Sequence, residues 1–465
     1  MDDQNPTHEE FNLMPEDVYE DNDTEIPDQE DETLSRLVLW KRSRSCIEKL
    51  TNLPDELVHH IFSFLPTKDI VKTSILSKRW KILWTSNPTI NLDDTQVPNY
   101  QNFVFNIFKS LTAMPIRKFS FTFMDEYDSW CIDAWLDAAT KLRPREICIK
   151  TGNYKFNLFL STSPRCLKLE IPSLEVGSLV DLKNLKTLHL YSVSFADLNS
   201  SINLFSGCAN LEELILDSCP WDSFYFEISI YSLKRLEIFD PSSESSGLVQ
   251  YVDINAPNLV YFKYDGYFAT EYSLINTKSL ENVSMDLDYC KTILHHKYVP
   301  AVAGLLKAVS SVRTLKLTDH SLGTFFFASE DDRNLFPYFH NLKHLNLTGI
   351  ASLNSINALL RLLQSVDALE SLVVSTEFYV LKKISYDENP KSVPNSLRYH
   401  LKTITMQRFR GDEEELDFLG YLVKNAYALE TTRVLFCKIS AEEKIKVQEK
   451  LRHDYHDYRF RFIFE

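Results

Sequence analysis

The residues best suited to chemistry in this chain are eight cysteines and twelve histidines, and their spacing does not assemble them. The cysteines stand at 46, 131, 148, 166, 208, 219, 290 and 437. None forms a Cys-x-x-Cys pair or lies at zinc-ligand spacing from a histidine, so they read as buried, reduced thiols. His295 and His296 follow Cys290 without a second thiol or carboxylate at ligand spacing. His340 and His344 share a face only on a helix, and the pattern around them is that of a strand start. His453 and His456 lie beside Asp454 and Asp457 near an expected helix end. No H-E-x-x-H, G-x-S-x-G or P-loop occurs. Ten glycines, none close enough for G-x-G, leave no backbone cradle for a phosphate. Neither a metal nor a cofactor is expected, and the chain reads as a non-enzyme.

What would position such residues is an unusual chain of 465 residues, 44% hydrophobic and 12% aromatic. The net charge of −15 is concentrated at one end. Residues 1–35 hold fourteen Asp and Glu and no Lys or Arg, which leaves the remainder with 51 acidic against 50 basic residues. That near-neutral body gives no case for a nucleic-acid partner. No secretory signal and no run of about 18 apolar residues is present, so a cytosolic or nuclear location is expected and no membrane partner. Residues 1–35 read as a disordered acidic tail. Residues 36–50, with Lys41, Arg42 and Arg44, read as a basic linker.

Residues 51–95 are dense in large apolar side chains and punctuated by Pro54 and Pro66. Pro54 suits a first helical position, and Asp55 and Glu56 complement the helix dipole. Leu57, Ile61 and Leu65 follow at i, i+4, i+8 as one stripe, which Phe62 and Phe64 widen. Pro66 stops that helix, and Thr67 is placed to cap a second. Ser77 is placed to cap a third, where Trp80, Leu83 and Trp84 share a face. So small a module cannot bury this much apolar surface by itself, and part of it must meet a partner or the next domain.

The pattern Leu53-Pro54-x-Glu56-Leu57-x-x-x-Ile61-x-x-x-Leu65-Pro66, then Asp69-Ile70-Val71, then Ser77-Lys78-Arg79-Trp80-x-x-Leu83-Trp84 resembles an F-box. The resemblance implies three helices that hold a Skp-type adaptor, and through it a cullin–RING ubiquitin ligase. The contact set it implies is Leu53, Pro54, Leu57, Ile61, Leu65, Pro66, Val71, Ile75, Leu76 and Trp80.

From residue 115 to 385 an irregular L-x-x-L-x-L repeat recurs at intervals of about 20 to 32 residues. Its clearest copies are Leu185-Leu188-Leu190, Leu211-Leu214-Leu216, Leu233-Leu236-Ile238, Val312-Leu315-Leu317, Leu342-Leu345-Leu347 and Leu369-Leu372-Val374. Weaker copies begin at Ile116, Leu259, Leu280 and Leu401. This is the leucine-rich-repeat pattern. One unit cannot bury its leucines alone, and stacked units share a core beneath a parallel sheet. The residues between the inward leucines point outward. Among them His189, Tyr191, Arg235, Phe239, Tyr261, Lys263, Lys316 and His344 suit recognition of a protein substrate. Loops are expected at 240–247 and 384–395.

Residues 394–465 change character. Arg410-Gly411-x-Glu413-Glu414-Glu415-Leu416, the helix-to-strand stretch 418–436, a helix opened by Ser440 and the alternating run 458–464 resemble the FBD region of plant-type F-box proteins. Such a region would cap the solenoid. The expected architecture is α/β: a three-helix F-box, a leucine-rich-repeat solenoid and a C-terminal α/β cap. The resemblance implies the substrate-recognition subunit of an E3 ubiquitin ligase. A non-degradative scaffold, or a small-molecule sensor with a pocket in the solenoid, are the alternatives.

Overall fold

The computed structural model describes residues 52–465 except 112–115, 153, 158–163, 179, 221–224, 240–250, 268–270, 289–298, 324, 326–335, 351–352, 377–392 and 457–459. The expected acidic tail, basic linker and 240–247 loop, and nearly all of the 384–395 loop, lie outside the described residues.

Three short helices come first: α1 (Asp55–Phe62), α2 (Thr67–Lys72) and α3 (Lys78–Leu83). Pro54 is the residue before α1 rather than its first turn. The serine cap is as expected, with Ser77 Oγ accepting the Trp80 amide at 3.2 Å. Thr67 corrects its expectation. Its hydroxyl does not cap α2 but accepts the Asn91 amide at 2.8 Å, because the next strand runs beside it.

That strand, β1 (Thr89–Asp93), opens a fifteen-stranded parallel sheet. The sheet continues through β2 (Lys118–Phe123), β3 (Glu146–Thr151), β5 (Cys166–Glu170), β7 (Thr187–Tyr191), β9 (Glu213–Asp217) and β11 (Arg235–Phe239). Then follow β13 (Tyr261–Tyr267), β15 (Asn282–Asp288), β16 (Thr314–Thr318), β17 (His344–Ile350) and β18 (Ser371–Thr376). Last are β19 (Thr403–Phe409), β20 (Thr431–Phe436) and β21 (Arg461–Phe464). Spatial order follows chain order throughout, which is the hallmark of a solenoid. The repeat therefore starts inside the range expected for the F-box, ahead of residue 115. It also runs through the expected cap, whose three strands extend the same sheet.

Alternation sets the packing. Leu188, Leu214, Leu236, Phe262, Val283, Leu315, Leu345 and Leu372 pair in register as one buried row. Each such side chain, removed from water, contributes roughly 1.5–3 kcal/mol. Repeat length selects the return path. The 20-residue step from Glu146 to Cys166 returns through strand β4 (Lys155–Asn157), whereas the 32-residue step from Asn282 to Thr314 returns through a helix, Val299–Ala308. The strand returns gather into two three-stranded sheets, which the sequence pattern did not reveal.

The C-terminal motif has a structural role. Gly411 sits at φ +88°, and a Cβ there would meet Val447 Cγ2 at 2.4 Å. Buried Glu415 accepts the Arg410 and Gly411 amides at 2.7 and 2.8 Å and the Thr376 hydroxyl at 2.5 Å. The Arg-Gly-x-Glu-Glu-Glu run is thus a turn pinned by its last carboxylate. Helix Ala441–Asp454 opens on a capping box between Ser440 and Glu443.

Candidate interaction surfaces

The helical module separates its apolar residues into two sets. Val58, Phe62, Ile70, Trp80, Leu83 and Trp84 are buried. Phe62 meets Trp80 edge-to-face, with ring centroids 5.5 Å apart. Asp55 pairs with Arg79, tying α1 to α3. Around this core Leu57 is 49% exposed, Phe64 75%, Ile75 88% and Ile82 69%. Pro54 is exposed, and Leu53, Ile61, Leu65, Pro66, Val71 and Leu76 are half-buried.

Of the expected stripe, Leu57 faces outward, Ile61 is half-buried and Leu65, beyond the end of α1, packs against the core, while Val58 and Phe62 face in. Trp80 is a correction. Expected at the adaptor surface, it is 2% exposed, because it shares the inward face of α3 with Leu83 and Trp84. Phe62 likewise leaves the stripe for the core. Ile82, outside the expected set, is exposed between two buried neighbours on α3. Its place off the Trp80, Leu83, Trp84 face was the signal for it.

The outward face of the large sheet carries the expected substrate residues. Six of the eight gather on β7, β11 and β13. The Arg235 guanidinium lies 4.0 Å from the Tyr261 ring centroid and the Lys263 ammonium 4.2 Å from that of Phe239. The Tyr191 hydroxyl is 3.4 Å from His189 Nδ1. Such cation–aromatic contacts hold rotamer-rich side chains in place ahead of binding. Lys316 and His344 share the face but lie farther along it, in the rows of Lys263 and Tyr261.

Charge on this face is largely paired. Glu146 accepts from Lys118 at 3.3 Å and Lys168 at 3.5 Å, Lys150 meets Glu170 at 2.6 Å, and Arg235 meets Glu213 at 3.5 Å. Burial and then the Lys168 charge hold the His189 imidazole below its usual value. Burial, reinforced by Asp286, holds the Asp265 carboxyl above its own. Cys148 and Cys166 are half-buried on this face rather than in the core. Burial pushes the Cys166 thiol up to about 11 and also raises Cys148, the direction opposite to an activated nucleophile.

Among the described residues no three His, Cys, Asp or Glu side chains converge as a metal site. A cleft of about 530 Å³ lies beside β1, lined by Asp94, Gln96, Tyr100, Asp125 and Tyr127. Asp94 there accepts the Met124 and Asp125 amides at 2.8 and 3.0 Å, so it braces a loop.

The F-box domain family matches residues 50–91. The family described as At1g61320/AtMIF1, LRR domain, matches residues 107–450. The F-box/FBD/LRR-repeat protein At3g52680 of Arabidopsis thaliana is 30% identical over 424 residues, covering 87% of this chain and 88% of its own length. The F-box/FBD/LRR-repeat protein At5g56420 of the same plant is 27% identical, over 83% of this chain and 90% of its own length. The F-box/LRR-repeat protein At4g14103 is 29% identical, over 64% and 84% respectively.

Proposed function

The chain belongs to the F-box/FBD/LRR-repeat family, and from that premise we propose that it is the substrate-recognition subunit of a Skp–cullin–F-box ubiquitin ligase. The observation that carries this reading is the split in the helical module. A complete aromatic core exists without a partner, yet Leu57, Phe64, Ile75 and Ile82 remain in water. Exposed side chains of this size on a small module are characteristic of a docking face. A Skp-type adaptor is the partner proposed for it, and a cullin–RING ligase follows through that adaptor.

The outward face of the solenoid would hold a protein substrate through the Arg235, Tyr261, Phe239 and Lys263 cluster. The chain itself would supply no reacting group. It would raise the local concentration of substrate lysines at a ubiquitin-loaded enzyme, turning a bimolecular encounter into an effectively intramolecular one. The compartment proposed with this role is the cytosol or nucleus, where thiols such as the six described cysteines stay reduced.

The test is capture of a purified Skp-type adaptor by the full chain. The double variant Leu57→Asp with Ile75→Asp is expected to lose capture with an unchanged circular dichroism spectrum. Undiminished capture overturns the adaptor assignment. Deletion of residues 51–90 is expected to lengthen the half-life of at least one protein bound by the intact chain, and unchanged half-lives overturn the receptor role.

A further inference from the structure

The residue just before each strand of the large sheet forms a row along one edge of the solenoid. Backbone hydrogen bonds link its members one to the next. The Arg165 amide donates to Arg145 O at 2.8 Å, Lys186 to Arg165 O at 2.8 Å and Glu212 to Lys186 O at 2.9 Å, and the amide of Glu146, next to Arg145, donates to Arg117 O at 3.0 Å. Successive members therefore sit about one strand spacing apart, roughly 4.8 Å.

Farther along, the row interleaves charge in two stretches. Glu212 bridges Lys186 at 2.6 Å and Lys234 at 2.9 Å, and Glu370 bridges Lys343 at 2.6 Å and Lys402 at 3.8 Å. These pairs prove that neighbours in the row are within reach of each other. At the end beside the F-box the pattern stops. Arg117, Arg145 and Arg165 stand side by side just before β2, β3 and β5, all exposed. No carboxylate pairs with any of the three among the described residues. Like charges directly abreast on neighbouring strands repel, so this run costs stability.

We propose that this arginine edge docks the chain's own acidic N-terminal segment, residues 1–35. The complementarity is direct: fourteen carboxylates and no cation face three uncompensated guanidiniums. Guanidiniums suit the task, since each can hold a carboxylate through two parallel hydrogen bonds. Reach is sufficient. The edge begins one strand from the F-box, where the Arg117 amide donates to Pro88 O at 2.8 Å. The segment 36–51 can span up to roughly 50 Å when extended. Tethering makes the contact intramolecular and so compensates for weak individual ion pairs. Docking here would hold the tail along the first repeats.

The experiment uses the full chain and an endoproteinase that cuts after glutamate. At low salt, cleavage within residues 1–35 is expected to be about tenfold faster in the triple variant Arg117→Ser, Arg145→Ser, Arg165→Ser than in the wild type, and 0.5 M NaCl should erase the difference. The variant Lys343→Ser with Lys402→Ser, which removes paired lysines from the same row, should leave the tail as protected as in the wild type. Melting temperature reports whether each variant is folded. Equal cleavage of wild type and triple variant at low salt overturns the proposal and frees the edge for an external anionic partner. Equal acceleration by the lysine variant overturns it too, since protection would then depend only on overall charge.

Discussion

The helical module and the solenoid use the same residue types in opposite ways. In the solenoid nearly every leucine of the repeat is buried in register, and the side chains that alternate with them on the outward face are polar and aromatic. In the module, leucine and isoleucine appear on both sides of the surface. Val58 and Phe62 are fully buried while Leu57 and Ile75, close by in sequence, stand in water. The reason lies in how each unit closes its core. A repeat borrows a neighbour on either side, so its apolar row is covered before any partner arrives. Three short helices enclose only a small core and leave Leu57, Phe64, Ile75 and Ile82 exposed.

The sharpest way to break this contrast is to charge one leucine of each kind. Leu345→Asp, at the centre of the buried row, is expected to abolish cooperative folding, because an unpaired carboxylate there costs more than about 4 kcal/mol. Chemical denaturation would register it, and a native-like melt would contradict the shared core. Trp80→Ala should follow, destabilising the module by about 3–5 kcal/mol through loss of its contact with Phe62. If Trp80 were instead a surface anchor, binding would fall while stability held.

Gly411→Ala tests whether the C-terminal region is an ordinary continuation of the solenoid or depends on its pinned turn. The left-handed backbone and the approach of Val447 give an expected loss of about 1–3 kcal/mol, read from denaturant midpoints. Ile75→Ser sharpens the comparison from the other side. Stability should move by no more than about 0.5 kcal/mol, while adaptor affinity falls at least about tenfold by calorimetry.

The smallest effect belongs to the edge row. Hydrogen bonds from Lys186 and then Lys234 pull the Glu212 carboxyl down to about 2. A depressed folded value means the stabilisation is present above the ordinary glutamate range, near 4.5, and is lost as pH falls toward 2. Glu212→Gln should therefore flatten the melting temperature slightly between those limits and leave it unchanged in slope at neutral pH.

Much of this was legible beforehand. The strands at Leu188, Leu214, Leu345 and Leu372 follow from a period of two inside a recurring unit, and the starts of the first and third helices follow from Pro54 and Ser77. Other features were hidden. Ile90 and Leu92 form the first strand of the sheet, yet they follow the F-box without the leading leucine that marks later repeats. The two small sheets arise where strand segments of successive returns stack, a constraint of closure rather than of local pattern, and one of those returns also holds a helix, Leu198–Gly207. On the outward face, His189 and Tyr191 were expected as separate candidates, and their contact follows simply from two outward positions on one strand.

The sequence by itself determined what depends on near neighbours along the chain: the alternation of the repeat, the serine caps at Ser77 and Ser440 and the strongly acidic first 35 residues. Tertiary structure alone decided what depends on neighbours in space. It turned Trp80 inward and Ile75 outward, because the chain's path settles which side of each helix meets another. It also set Arg117, Arg145 and Arg165 abreast, although 28 and 20 residues separate them in sequence. Only the in-register stacking of parallel strands converts that separation into one row, and nothing local in the chain encodes the register.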